Sequence, residues 1–505
     1  MSSTAKAALR PSTIPRRAER GAGRIAGFCY TAPVLPFLSK LRGSKTTVPS
    51  APAQFDALYA EAIGAAGSRD FSRAIGLYDR AIALDPSRAE AYYKRGNALK
   101  DIGRPDDAIA SYDQAIARKP DYAHAYCNRG VVQQGLGLTE AAFSSYDTAI
   151  ALDATDAIAH CNRALLLQEC FRWEEAILSY DRAIAIDPRF SDAHYNRSLT
   201  CLLLGDFAGG WRGFEWRWEN ALPLSIGAPR HFRQPLWLGA ESVAGRNLLL
   251  YSEQGLGDTL QFCRYAALCR ALGATVILEV QPPLLDLLAG LEGVSRLLAA
   301  GSPLPPFDYQ CPLMSLPLAF KTTVDTVPAA PRYLHADPDR VARWRARLGE
   351  RKRPRVGLAW SGNPRNTVDR RRSIPLAEWA ARLPPEFEYH CLQREVRDED
   401  RETLDSSPTI FSYDDEWLDF ANTAALCECM DVVLSVDTSI AHLAGALGSR
   451  TWVLLPQPPD WRWMLERPDS PWYPTMTLYR QQSAGEWDDV FLRVAADLRR
   501  EFRAG

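Results

Sequence analysis

The stretch Asp431–Pro456 reads DVVLSVDTSIAHLAGALGSRTWVLLP. Its residue types fall in the order strand, tight turn, helix, strand. Val432, Val433, Leu434 and Val436 form a short β-branched apolar run, as a parallel strand buried on both faces does. Asp437 and Thr438 are helix-capping types, and Ile440, Leu443, Ala444 and Leu447 recur at helical spacing. Gly448 ends the helix, and Thr451–Leu455 is a second buried strand. A strand that feeds a helix leaves unpaired backbone N–H groups at its carboxyl end, which suits a phosphate or diphosphate. His442 lies one turn into that helix, on the face of Thr438 or Ser439. The unit is either a ligand site or an ordinary βαβ element with a surface histidine.

The pattern repeats upstream. Arg355–Trp360 (RVGLAW) is a strand, and its loop places Ser361, Asn363, Arg370, Arg371, Arg372 and Ser373 at the carboxyl end. Open α/β sheets bind ligands there. Guanidinium groups suit a diphosphate, although three consecutive arginines also fit a solvated face. Gln393 ends the next strand at the same edge, and His390 within it reads as a core or face residue. Further upstream, NLLLYS (247–252) and TVILEV (275–280) are strands joined by EQGLGDTLQFCRYAALCRALG. Gly255 and Gly257 begin like a dinucleotide fingerprint, but Leu260 holds the place of the third glycine. Asp258 opens the helix, where it caps and is held ionised by the helix dipole. Beyond Pro456, Trp461, Trp463 and Trp472 either stack on a sugar or base or seal the edge of the sheet. The last helix, 486–501, is amphipathic and packs back on a domain.

DTSIAHLAGALG followed by an apolar strand resembles the Asp-Thr-Gly-x-x-His-Leu motif of heptosyltransferase-like glycosyltransferases of family 9, with Ser439 at the glycine position. The resemblance covers roughly the second half of the chain. It implies two facing Rossmann-like domains of the type called GT-B. It also implies a nucleotide-sugar donor held by Asp437, Thr438, Ser439 and His442; by their place at the carboxyl strand ends, Ser361, Asn363, Arg370, Arg372 and Gln393 are expected to join them. In that family a Gly-Asp pair sits at the first strand-to-helix turn, here Gly257-Asp258. Asp258 is then the catalytic base and Gly257 lies on the acceptor side. The resemblance further implies inversion at the anomeric carbon without a metal.

The first half of the chain is periodic. Tyr78-Asp79, Tyr112-Asp113, Tyr146-Asp147 and Tyr180-Asp181 are each 34 residues apart, as are Ala74, Ala108, Ala142 and Ala176. Period and small-residue placement match tetratricopeptide repeats, α-helical hairpins that stack into a solenoid. The units are 55–88, 89–122, 123–156 and 157–190, with a degenerate fifth, 191–218. Small residues at Gly96, Gly130, Ala164 and Ser198 let the two helices of a unit approach. The fifth unit ends in GGWRGFEWRWE, too aromatic for a solvent-facing cap, so it is expected to dock on the next domain. Asn128, Asn162 and Asn196 recur at one position on the first helices, with Lys94 in the first unit. Such a ladder can hydrogen-bond a peptide backbone in the concave groove, or it is a tolerated polar position. It is similar to the repeat domain of protein O-GlcNAc transferases. Arg95, Arg129, Arg163 and Arg197, next to it, are expected to form a positive stripe.

The length of 505 residues implies several domains, and a net charge of −2 gives no steering toward nucleic acid. The first fifty residues hold nine Lys or Arg and only Glu19 as an acid, a net of +8. They read as a flexible basic leader, interrupted by Pro33 and Pro36 and lacking the apolar core of a signal peptide. No segment is apolar and long enough to span a membrane. The eleven scattered cysteines form no C-x-x-C pair and read as reduced thiols of a cytoplasmic protein. Asp337-Pro338-Asp339 and Asp398-Glu399-Asp400 follow no apolar strand, and no metal or other cofactor is expected.

The expected architecture is a basic leader (1–54), an α-solenoid (55–218), a linker (219–246) and two α/β domains (247–350 and 351–505). The expected function is a metal-independent glycosyltransferase. Its repeats recruit a protein partner or acceptor, and the acceptor is a protein side chain, or a saccharide or lipid-linked glycan. The alternative is a non-catalytic repeat scaffold with a degenerate transferase domain.

Overall fold

A computed structural model describes residues 50–219, 230–364, 369–413 and 419–502. The leader as far as residue 49, and residues 220–229 of the linker, lie outside the described residues. Contacts divide the chain into two units, Met1–Ser50 and Ala51–Gly505, and the described helices and strands belong to the second.

Ten helices form five antiparallel pairs: α1 (Ala51–Gly67) with α2 (Phe71–Leu84), α3 (Ala89–Asp101) with α4 (Pro105–Arg118), α5 (Ala123–Gly135) with α6 (Thr139–Leu152), α7 (Ala157–Glu169) with α8 (Trp173–Ile186), and α9 (Ser191–Leu203) with α10 (Phe207–Phe214). The first helix starts at Ala51, so residues 51–54 belong to the repeats and not to the leader. Caps delimit several helices: Asp70, Asp156 and Asp206 accept backbone N–H groups at the starts of α2, α7 and α10.

The small-residue rule has a measurable cause. A Cβ on Gly96 would lie 2.6 Å from the Tyr112 ring, and one on Gly130 would lie 2.7 Å from Tyr146. Each buried tyrosine thus packs on the small residue of its own hairpin, and Tyr112, Tyr146 and Tyr180 donate their hydroxyls to Asn97, Gln134 and Gln168. Gly130→Ala would gain helix propensity at an open site, but here it overpacks. We expect it to destabilise the chain by roughly 1–3 kcal/mol, read as a lower melting temperature. A melting temperature equal to or above wild type would reject this packing account.

The arginine stripe is not a free positive surface. Arg95, Arg129, Arg163 and Arg197 pair with Asp79, Asp113, Asp147 and Asp181 at 2.5–2.6 Å. Each arginine thereby ties its helix to the Tyr-Asp pair of the preceding unit, and the expected attraction for acidic partners is cancelled at source.

Residues 247–312 form a four-stranded parallel sheet, order β3-β2-β1-β4, from β1 (Asn247–Tyr251), β2 (Thr275–Val280), β3 (Val294–Ala299) and β4 (Tyr309–Pro312). A six-stranded parallel sheet follows, order β10-β9-β8-β5-β6-β7, from β5 (Arg355–Ala359), β6 (Glu388–Cys391), β7 (Ile410–Phe411), β8 (Val432–Val436), β9 (Thr451–Leu455) and β10 (Met476–Arg480). β5, β8 and β9 are buried throughout, as their continuous apolar runs require. The final helix, Asp488–Glu501, packs its buried Phe491 on Trp379.

One continuous apolar core runs from α9 and α10 through the first sheet to one side of the second. Trp211 lies at its centre. Its ring meets Trp461 edge-on at 5.4 Å and Trp472 at 6.2 Å, and its indole N–H donates to the Thr322 carbonyl at 2.9 Å. The aromatic fifth unit is therefore docked on the α/β region. Within the linker, residues 230–246 are irregular but anchored, with Trp237 and Val243 in the core.

Candidate functional site

The strand-to-helix turns after β1 and after β8 face each other. After β1, Gly255 precedes helix α11 (Leu256–Phe262). Asp258 is not the cap residue but sits inside the first turn, where Oδ2 accepts the Gly255 N–H at 2.8 Å. After β8, Thr438 caps the Ser439–Ala446 helix by accepting the Ile440 N–H at 3.2 Å. The two helices touch where they lack bulk: a Cβ on Gly257 would lie 2.9 Å from His442 Cδ2 and 3.4 Å from the Ser439 Cα. Gly257 thus serves the contact between the helices instead of offering an open acceptor surface.

Arg462, in the single turn Trp461–Trp463, closes this junction. Its guanidinium pairs with Asp258 across 204 residues, with Asp460 at 2.9 Å, and through Nε with Gln261 at 2.8 Å. Asp437 lies close by, with Arg372 3.9 Å from its carboxylate. His442 Nδ1 hydrogen-bonds the Tyr473 hydroxyl at 2.9 Å, and its ring stacks on Trp463 at 5.4 Å. Asp437 and His442 are therefore buried, at 8% and 5% exposure, and neither lies at a surface-facing turn. The imidazole and carboxylate are covered by Trp463, Tyr473 and Arg462, which arrive from the chain after β9. Burial, with Arg462, Arg264 and Arg372 adding to it, holds the imidazole well below its usual pKa, so it is neutral at neutral pH.

The other residues of the site separate by role. Gln393 is spent on structure: Oε1 accepts the Trp360 and Ser361 N–H groups at 2.5 and 2.6 Å, and Nε2 donates to Ser361 Oγ at 3.0 Å. It braces the loop after β5, and Ser361 is engaged with it. Asn363 and Arg370 are exposed, while Arg372 points inward to Asp369 and Asp437. Asp369 is buried and also paired with Arg397, which sequence reasoning misses. It misses Arg462, Asp460 and Tyr473 too, since no motif or spacing marks them. Of the asparagine ladder, Asn128 donates to Asn97 at 2.9 Å and to the Tyr93 hydroxyl at 3.0 Å. Asn162 reaches Cys127 at 3.6 Å, and Asn196 is half-buried. Trp461, Trp463 and Trp472 are buried, so they seal the domain junction and present no open stacking face. Among the described residues, no cluster of His, Cys, Asp or Glu could hold a metal ion, and the cysteines are free.

The buried carboxylate of Asp437 makes a testable pH signature. Burial, with Asp460 adding to it and Arg372 and Arg462 opposing, raises its pKa from 3.8 to about 6. The folded state then holds the proton more tightly than the unfolded state. This contribution to stability is complete below the unfolded value and is lost as pH rises through the folded one, a window of about pH 4–6. Asp437→Asn keeps the shape without the charge. It is expected to melt above wild type at neutral pH, by roughly 2–3 kcal/mol, and to lose that advantage by about pH 4. A difference that stays constant across the window would reject this account.

Comparison with known proteins places the repeats. Residues 70–103 and 96–137 match the family described as TPR repeat, and 123–156 match tetratricopeptide repeat. Protein FlbA of Caulobacter vibrioides is 28% identical over 324 residues, which is 59% of this chain and 53% of FlbA. The chain therefore spans about half the length of that relative. Among solved structures, MamA is 27% identical, with a TM-score of 0.29, covering 31% of this chain and 92% of MamA. YrrB, described as a TPR protein with an unusual peptide-binding site, is 22% identical, with a TM-score of 0.27, covering 30% of this chain and 82% of YrrB. The chain carries tetratricopeptide repeats in its N-terminal solenoid, followed by an α/β region with parallel sheets.

Proposed function

We propose that the chain is a cytoplasmic, metal-independent glycosyltransferase of the GT-B arrangement, whose solenoid recruits a protein partner or acceptor. One observation carries the reading. The strand-to-helix turns after β1 and after β8 converge: the Asp258 carboxylate of one pairs with Arg462, which covers the other, and Gly257 packs on His442. Ligands of open α/β sheets bind at carboxyl strand ends. A nucleotide-sugar there would set its diphosphate against the start of the Ser439–Ala446 helix, with Arg372 and Arg462 balancing the charge of the leaving group. Asp258, with a side chain 19% exposed, would take the proton of an acceptor hydroxyl once Arg462 turns to the diphosphate. Groups held in place before reaction are the usual source of such stabilisation. No helix among the described residues is long and apolar enough to cross a membrane.

The test is a panel of UDP-, GDP- and ADP-sugars read by thermal shift, then by mass spectrometry of products with and without cell extract. A ligand at 100 times its Kd stabilises by about 2.7 kcal/mol, so a true donor raises the melting temperature. A second reading, a scaffold without transferase activity, is favoured by one feature: Asp258, Arg462, His442 and Tyr473 already satisfy one another. A panel in which no nucleotide-sugar shifts melting decides for the scaffold.

A further inference from the structure

The solenoid departs from its own pattern in the fourth unit. Positions 69, 103, 137, 171 and 205, each 34 residues apart, follow the first helix of every unit and all adopt positive φ, between 59° and 86°. Glycine, which favours that region, holds three of them, and Arg69 holds the first. The fourth unit holds Phe171 instead, 41% exposed, and Trp173 two residues on, their rings 5.8 Å apart. A bulky aromatic at a strained position that leaves its ring half in solvent does little for the fold. Strained residues of this kind gather where a site needs them.

This pair walls a cavity of about 610 Å³ between the solenoid and the carboxyl edge of β9 and β10. Met464 and Glu466, across the cavity, also have positive φ. Gln481 lies on its lining, only 5% exposed. Its Oε1 accepts the Gln457 and Gly485 N–H groups at 3.1 and 3.2 Å, which fixes the orientation of the amide, and its Nε2 has no hydrogen-bond partner.

The lining selects a class of ligand. Glu174 and Glu466 bring negative charge. Arg480 offsets only part of it, and its three nitrogens are held by the carbonyls of Arg467, Met464 and Trp463. A nucleotide phosphate would meet a lining of net negative charge whose one guanidinium is already held by carbonyls. Aromatic faces beside carboxylate acceptors match a ring that is apolar on its C–H face and hydroxylated at its rim. We infer that this cavity binds a neutral saccharide ring, stacked on Phe171 and Trp173 and hydrogen-bonded through its hydroxyls to Glu174 and Glu466. The site is distinct from the Asp258 cluster and stands whether or not the chain transfers a sugar.

The experiment is saturation-transfer NMR on the full chain with methyl glycosides of glucose, galactose, mannose and N-acetylglucosamine, and with uridine and adenosine. At least one glycoside is expected to receive saturation at its ring C–H protons. Phe171→Gly should weaken that binding at least about tenfold and leave the melting temperature unchanged or higher, because glycine relieves the left-handed backbone. Phe171→Tyr should retain binding. Saturation of no glycoside, saturation only of the nucleosides, or a glycoside signal that survives both Phe171→Gly and Trp173→Ala would each overturn the inference. A markedly lower melting temperature for Phe171→Gly would also overturn it, by making the ring a structural element. None of these outcomes bears on the nucleotide-sugar thermal shifts, so the two readings fail separately.

Discussion

Asp258→Asn is expected to lower turnover of the nucleotide-sugar by about 10²- to 10⁴-fold, the usual worth of a general base. The side chain keeps its size, and its carbonyl can still accept the Gly255 N–H that Oδ2 accepts now. What it loses is the charge. From residue type alone, the melting temperature should stay nearly fixed. The ion pair with Arg462 changes that expectation, because the variant leaves a nearly buried guanidinium with Asp460 as its remaining close carboxylate. Removing one partner of such a pair costs on the order of 1–3 kcal/mol. Donor affinity separates the roles. A base lost without disturbing the junction lowers kcat and leaves the nucleotide-sugar thermal shift intact. A collapsed junction lowers both. Turnover near that of wild type would remove Asp258 from the mechanism, whatever became of the transferase assignment.

Trp211→Ala should be the most destabilising single change at the docking surface, by about 3–5 kcal/mol for a fully buried tryptophan. The ring is 2% exposed and touches Phe207, Trp461 and Trp472, and its N–H satisfies the Thr322 carbonyl, which the variant would leave buried and unpaired. The consequence reaches the candidate site, because Trp461 precedes Arg462 in one turn. A second tie runs in parallel: Arg217, fully buried, pairs with Glu253 at 2.8 Å, in the loop that leads to Asp258. The last repeat unit thus grips both loops that form the site. Denaturation of wild type is expected to show the solenoid and α/β region unfolding together, and that of Trp211→Ala to show two separated transitions. A single transition at the wild-type midpoint would show that the aromatic dock contributes nothing.

The repeats are legible in the sequence because their contacts are short in sequence and recur. Gly130 meets Tyr146 within one hairpin, and the same pair returns as Gly96 and Tyr112, so a period of 34 residues carries the whole pattern. The Arg–Asp pairs recur just as regularly, 16 residues apart, and that spacing is the signal that the arginines are already partnered. The buried strands are equally legible, since a parallel strand covered on both faces needs a continuous apolar run. Thr438 as a cap follows from residue type alone.

The junction is a different matter. Arg462 and Asp258 stand 204 residues apart with no periodic signal between them. Their meeting depends on how one sheet layer is set against another. His442, which by its sequence neighbours alone would sit at a surface, is buried by Trp463 and Tyr473 together with the packing of α11 on the Ser439–Ala446 helix. Only the fold commits Gln393 to bracing a loop instead of facing a ligand. Local spacing determines which residues share a helix face or a strand, because those relations repeat every few positions. Which charges meet across two layers is decided by tertiary packing, where desolvation and pairing act on groups that the chain holds far apart.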